Sequence, residues 1–204
     1  YYNNKMSAGK WKGLMDMRPR NLPVFYSPTL PELLTDEEVK TWLAKDTCNS
    51  RHPLVKDGTI ARNASDYQSA TPGAQPIQML GHSMSAVNLP KGGELTYEFI
   101  TEKDGDAVLR TALIPTQPND NGDLRFSVSV DGAAPTVYTL KEPFRSDQWK
   151  LNVMRGQAVR TLRLHGLKAG SHKLVIKALD SHIVVDQWMI DYNQNRQFYL
   201  FPVD

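Results

Sequence analysis

The stretch 171–192 constrains this chain more than any other, because it alternates like a strand and then turns apolar on both sides. In its first arm Leu174, Ile176 and Ala178 fall on one face while Lys173, Val175 and Lys177 fall on the other, the period of a strand with one wet side. Gly170 ahead of it and Asp180-Ser181-His182 after it supply turn residues. The second arm sets Val184, Trp188 and Ile190 against Ile183, Val185 and Met189, apolar on both faces as in a strand covered from both sides. The spacing predicts a long hairpin at the centre of an antiparallel β-sandwich.

The rest of the chain fits that centre. Strands are expected at 64–70, 77–81, 85–89, 95–101, 107–114, 124–130, 136–140, 148–153 and 159–165. Leu124, Phe126, Val128 and Val130 alternate with Arg125, Ser127, Ser129 and Asp131, and Leu95, Tyr97 and Phe99 do the same against Thr96 and Glu98. Turn residues stand between them at Lys91-Gly92-Gly93, Asp104-Gly105-Asp106, Asp131-Gly132 and Lys168-Ala169-Gly170. Many short strands at regular spacing make a mainly β chain, an antiparallel, jelly-roll-like sandwich over 63–204.

Residues 1–62 read differently, as a helical and extended segment with a connector. Trp11, Met15 and Met17 belong to a loosely helical apolar set, and Pro19, Pro23, Pro28 and Pro31 then force an extended path. Thr35 and Glu38 form a capping box that opens one clear helix, with Val39, Trp42 and Leu43 as its buried stripe and an end near Lys45. Trp11, Met15 and Met17 need a surface to pack against, and the severed edge of a neighbouring helical domain is the better reading.

Chemistry-bearing residues are sparse. A net charge of +2 without a basic stripe excludes nucleic acid as a natural partner, and no run reaches the length of a membrane-spanning helix. Cys48 is the sole cysteine, so no internal disulfide forms. His52, His82, His165, His172 and His182 show no zinc spacing. Asp120 and Asp123 supply the hard oxygens of a calcium site, against the plain reading of a hairpin turn. The carboxylate pairs Glu98 with Glu102 and Asp186 with Asp191 have no cleft around them in the sequence pattern, so no residue is assigned a catalytic role. Tyr97, Tyr138 and Trp149 are the rings that could stack on sugars, with Trp149, after the polar 145–148 loop, the best platform. Rings at strand positions are otherwise core.

An ordered series of segments carries a resemblance. It runs through His82-Ser-Met-Ser-Ala-Val-Asn-Leu-Pro90, Leu95-Thr-Tyr-Glu-Phe99 and Ala112-Leu-Ile-Pro-Thr116. It continues with Leu124-Arg-Phe-Ser-Val-Ser-Val-Asp-Gly132, Gly170-Ser-His-Lys-Leu-Val-Ile176 and Ile183-Val-Val-Asp-Gln-Trp-Met-Ile-Asp191. The series resembles the C-terminal β-sandwich of glycoside hydrolase family 115, the xylan α-1,2-glucuronidases that remove (4-O-methyl)glucuronic acid. Gly9-Lys-Trp-Lys-Gly-Leu-Met-Asp16 resembles the stretch leaving that family's helical-bundle domain. The final 193–204 segment departs from the family's ending.

The resemblance implies a non-catalytic accessory domain whose acid/base chemistry sits in an upstream barrel, with packing or oligomerisation as its role. A carbohydrate-binding module for xylan or a related polysaccharide is the alternative. Partners would be the parent's catalytic and helical domains, a polysaccharide or a second copy. No cofactor is implied beyond the calcium at Asp120 and Asp123, and the parent would be periplasmic or extracellular.

Overall fold

The two arms of the 171–192 stretch do not pair with each other. In the computed structural model, which describes residues 35–45, 57–116 and 122–203, they lie in opposite sheets. The elements in chain order are α1 (Asp36–Lys45), β1 (Ile60–Asn63), β2 (Ser69–Ala70), β3 (Gln75–Gln78), β4 (Ser85–Leu89), β5 (Glu94–Thr101) and β6 (Gly105–Leu113). Then come β7 (Arg125–Val130), β8 (Thr136–Thr139), α2 (Asp147–Arg155), β9 (Ala158–Leu167), β10 (Gly170–Ala178) and β11 (Ile183–Asp191). One sheet has the order β3-β4-β11-β6-β9, with β1 added beside β11, and the other the order β2-β5-β10-β7-β8. All pairings are antiparallel. The expected β-sandwich is present, but its centre is an arch rather than a hairpin.

The arch follows from which edges are filled. β10 pairs with β5 on one side and β7 on the other, while β11 pairs with β6 on one side and with β4 and β1 on the other. Splitting the arms makes each the middle of a sheet and turns their apolar faces toward one another. Asp180 fixes the crossing: its carboxylate accepts from Arg125 N and Nε, both at 2.9 Å, and from Nη2 at 3.2 Å. His182 completes the turn at φ 64°.

The core lies between the sheets. Leu95, Tyr97, Phe126, Val128, Leu174 and Ile176 face Leu89, Leu109, Leu113, Ile183, Val185, Trp188 and Ile190, all buried. Trp188 sits at its middle, its ring 5.4 Å from Tyr97 and 5.6 Å from Phe99. Simple alternation grouped Val184 with Trp188 and Ile190, but a register shift between Val185 and Gln187 resets the pattern. That bulge turns Val185 and Trp188 to the same side and sends the adjacent Asp186 and Gln187 together to the other.

Three further expectations are corrected. Residues 148–153 are helical, because Ser146 caps the N-terminus and accepts from Trp149 N at 3.2 Å, and Gly156 closes the helix at φ 70°. Ile60–Asn63 is a strand against β11, so the sheet begins inside the segment read as connector. Of residues 64–70 only Ser69–Ala70 is strand, since Ala64 and Asp66 are held in a turn by Asp186 and Asn63.

The chain divides into two compact units, residues 1–50 and 51–204. In the first, α1 has the expected capping box: Glu38 Oε2 accepts from Thr35 N at 2.8 Å and from Thr35 Oγ1 at 3.0 Å, which holds the carboxyl below its usual range. Val39, expected on a buried stripe, is 39 % exposed. Trp11, Met15 and Met17 lie outside the described residues.

Candidate functional site

The outer face of the six-stranded sheet is covered along β11, and the covering creates a cavity. β11 is buried on both sides along its whole length. Beneath its outer side Met189, Ala61 and Ala112 pack with Phe201, with Phe198, Val203 and Val159 around them. The 193–203 tail therefore acts as a lid over this part of the sheet.

Two acids fasten the covering. Asp191, fully buried, accepts from Arg110 at 2.9 Å, from Arg196 at 2.6 Å and from Asn193 N at 2.8 Å. Arg196 continues to Asp57 Oδ2 at 2.6 Å and Thr59 Oγ1 at 2.6 Å, so the tail is tied to the approach to β1. The Arg196 and Thr59 donors pull the Asp57 carboxyl down to about 2.

Asp186, also fully buried, accepts from His82 N at 2.9 Å, Ser83 N at 3.1 Å and Gln157 Nε2 at 2.6 Å. It organises the 79–84 loop. Gly81 stands at φ +78°, where a Cβ would come within 2.2 Å of Asp186 Oδ1, so only glycine fits. Asp186 and Asp191 thus each make their hydrogen bonds within the fold.

α2 lies beside this arrangement. Its buried Asn152 accepts from the exposed Gln148 at 2.8 Å, and its last carbonyl, Arg155 O, meets His82 Nε2 at 2.9 Å. That contact makes Nε2 a donor, and Nδ1 is buried without a partner among the described residues. Gln157 Oε1 is likewise buried without a partner. The ring of His82 leans on Tyr199 at 5.6 Å.

Between α2, β9 and the tail opens a cavity of about 720 Å³, with Arg110, Arg155, Arg196, Gln194, Phe198 and Tyr199 among its walls. Among the described residues no aspartate or glutamate lines it. Arg110 and Arg196 are neutralised by Asp191 and Asp57, whereas Arg155 makes no ion pair among the described residues. Arg155 Nη2 instead donates to the carbonyls of Phe198 and, at 3.1 Å, Tyr199, and its Nε is buried with no partner. Burial, reinforced by the charge of Arg110, holds this guanidinium below the ordinary arginine value.

The rings nominated from sequence do not form a platform. Tyr97 is core, 1 % exposed, and donates to Ala64 O at 2.8 Å. Tyr138 stacks on Phe126 at 5.5 Å and donates to Thr161 O at 2.9 Å, closing the sandwich edge between β8 and β9. Trp149 is partly buried in α2, packs edge-on against Phe144 at 5.2 Å, and borders a separate 120 Å³ pocket with Lys141 and Asn152. Asp123 faces Lys141 at 3.5 Å and Arg125 at 3.8 Å, while Asp120 lies outside the described residues. Among the described residues no cluster of three His, Cys, Asp or Glu side chains could hold a metal, and no helix is long and apolar enough to cross a membrane.

At the opposite end, His172 sits on β10 between turns. Its Nδ1 meets Asp131 at 2.7 Å and its Nε2 meets Lys168 O at 2.7 Å, contacts that suit a doubly protonated ring. Burial opposes that charge, but Asp131 and the Lys168 carbonyl outweigh it and leave the pKa raised.

The arginine-walled cavity was not foreseen from the sequence. Its wall comes from β6, α2, β9 and the tail, so no local motif marks it.

Similarity to known proteins agrees with the fold. No curated protein matches the chain. Among solved structures it is similar to a 4-O-methyl-α-glucuronidase of glycoside hydrolase family 115 with specificity for decorated arabinogalactans, at 32 % identity and a TM-score of 0.62. The match covers 93 % of this chain and 23 % of that one, so the chain spans about a quarter of the glucuronidase's length. It is also similar, at 14 % identity and a TM-score of 0.46, to the C-terminal family 6 carbohydrate-binding module of a marine laminarinase from Zobellia galactanivorans, covering 65 % of this chain and 98 % of that one. A family 35 carbohydrate-binding module from Clostridium thermocellum matches at 13 % identity and a TM-score of 0.48, covering 65 % of this chain and 98 % of that one. The model of the glycosyl hydrolase family 115 C-terminal domain matches residues 55–204. The chain belongs to glycoside hydrolase family 115, and residues 55–204 are its C-terminal domain.

Proposed function

We propose that this chain is a non-catalytic accessory β-sandwich of an α-glucuronidase, seated against the remainder of the enzyme that removes (4-O-methyl)glucuronic acid from a polysaccharide. The use of its acids supports this most directly. Glycoside hydrolysis needs two carboxyl groups facing each other across a cleft, ~5–10 Å apart. Here Asp186 is spent on backbone donors and Gln157, Asp191 on two arginines, and among the described residues the 720 Å³ cavity has no carboxylate on its wall. Trp11, Met15 and Met17 are the side chains we assign to the seating, together with Phe144, three-quarters exposed at 75 %. Assaying the 204-residue chain on glucuronate-decorated xylan and arabinogalactan tests the reading. No release of uronic acid is expected, and turnover would overturn it.

A second reading, carbohydrate binding, is favoured by the cavity. Its volume falls in the ~300–1,000 Å³ range of small-ligand sites, and its wall mixes amides, rings and arginines. Affinity electrophoresis in xylan and arabinogalactan gels tests it: retardation is expected, and free migration in both would count against it.

A further inference from the structure

We propose that the cavity between α2, β9 and the 194–199 segment binds a carboxylate-bearing sugar, a uronosyl residue, with Arg155 as the partner of its carboxylate. The inference rests on the carbohydrate-binding reading and names its ligand class.

Among the described residues the charges on the wall do not balance. Arg110 and Arg196 share Asp191, and Arg196 also holds Asp57. Arg155 is left with two main-chain carbonyls, which fix the guanidinium without neutralising it. A partly buried guanidinium that lines the cavity and has no acid beside it among the described residues favours an anion there. A carboxylate does so with charge-assisted, often paired, hydrogen bonds. With three arginines and no acid among its described lining residues, the wall is attractive to an anion and hostile to a cation.

The remaining wall suits a sugar rather than a bare carboxylate. Gln194, Asn195, Gln197 and Thr161 offer donors and acceptors for hydroxyl groups, and Phe198 and Tyr199 offer ring surface. Tyr199 is 63 % exposed, so its ring is reachable. At about 720 Å³ there is room for a pyranose and a neighbouring unit.

The test is an NMR titration of the 204-residue chain with D-glucuronate, D-glucose, acetate and neutral xylo-oligosaccharides, following the Arg155 Nε–H and the 194–199 amides. Glucuronate should shift these signals saturably. Acetate keeps the carboxylate but lacks the ring and hydroxyl groups and should bind more weakly than glucuronate. Glucose lacks the carboxylate and, since a hydrogen bond to a charged group contributes ~1.5–3 kcal/mol, should bind at least about tenfold more weakly. Arg155→Gln should cost a similar factor. Met154→Glu, at a position 80 % exposed where folding is not at stake, should weaken glucuronate by repulsion. Acetate equal to glucuronate would overturn the sugar. Xylo-oligosaccharides binding there as tightly as glucuronate would overturn the uronate assignment while leaving carbohydrate binding intact. If no sugar moves the cavity signals, both fall.

Discussion

β10 and β11 are neighbours in sequence and opposites in environment. β10 buries Leu174, Ile176 and Ala178 and leaves Lys173 and Lys177 in water, as a sandwich strand with one wet face should. β11 has no wet face, because the 79–84 loop and the tail roof its outer side. One sheet is a plain structural layer. The other carries a second, polar layer held by buried Asp186 and Asp191, and beside it opens the cavity lined by Arg155. The fold's stability thus sits mostly between the sheets, and its distinctive chemistry sits outside one of them.

Perturbing the two layers should separate them. Trp188→Ala strikes the shared core and should cost ~3–5 kcal/mol in urea unfolding, with loss of both layers together. Asp186→Ala strips partners from His82 N, Ser83 N and Gln157, and should cost about 2 kcal/mol. Its signature is fast hydrogen exchange confined to the 81–84 amides while β10 stays protected. Phe201→Ala uncovers Met189 and Ala112 and should lose ~1.5–3 kcal/mol, with the core tryptophan's near-ultraviolet signal retained. Equal loss of protection in β10 for either outer-layer variant would erase the distinction.

Smaller effects are read by pH. His172 has a raised pKa, so its bonds to Asp131 and Lys168 are fully present below the ordinary 6.5 and fade as pH rises through the folded value. Urea midpoints of the native chain should therefore fall across that rise, and His172→Gln should flatten the profile. Asp57, held at about 2, stabilises above its ordinary 3.8 and loses that contribution only as pH falls through the lower value. Because its side chain is 41 % exposed, Asp57→Asn should cost less than ~1 kcal/mol at neutral pH.

How much was legible in sequence follows the same division. Alternation in Leu124–Val130 and Leu95–Phe99 reports burial directly, so the inner strands were readable. The doubly apolar second arm of 171–192 correctly announced a strand covered on both sides. Pairing was not readable, because turn residues such as Asp180-Ser181-His182 serve a hairpin and an arch alike. Period-2 counting also failed at Asp186, where a bulge carries two polar side chains to one side. Residues 148–153 alternate weakly, and the deciding signals were the Ser146 cap and Gly156. The cavity could not be foreseen, since Arg110, Arg155 and Arg196 come from β6, α2 and the tail and differ chiefly in whether an acid neutralises them.

A crystal structure of the chain with a glucuronate-bearing disaccharide tests most directly whether function resides on the covered face. The carboxylate seated against Arg155, with the sugar beside Tyr199, is the expected result. A sugar bound on the wet face of β10 or along the sandwich edge at Tyr138, with the arginine-walled cavity left free, would contradict it.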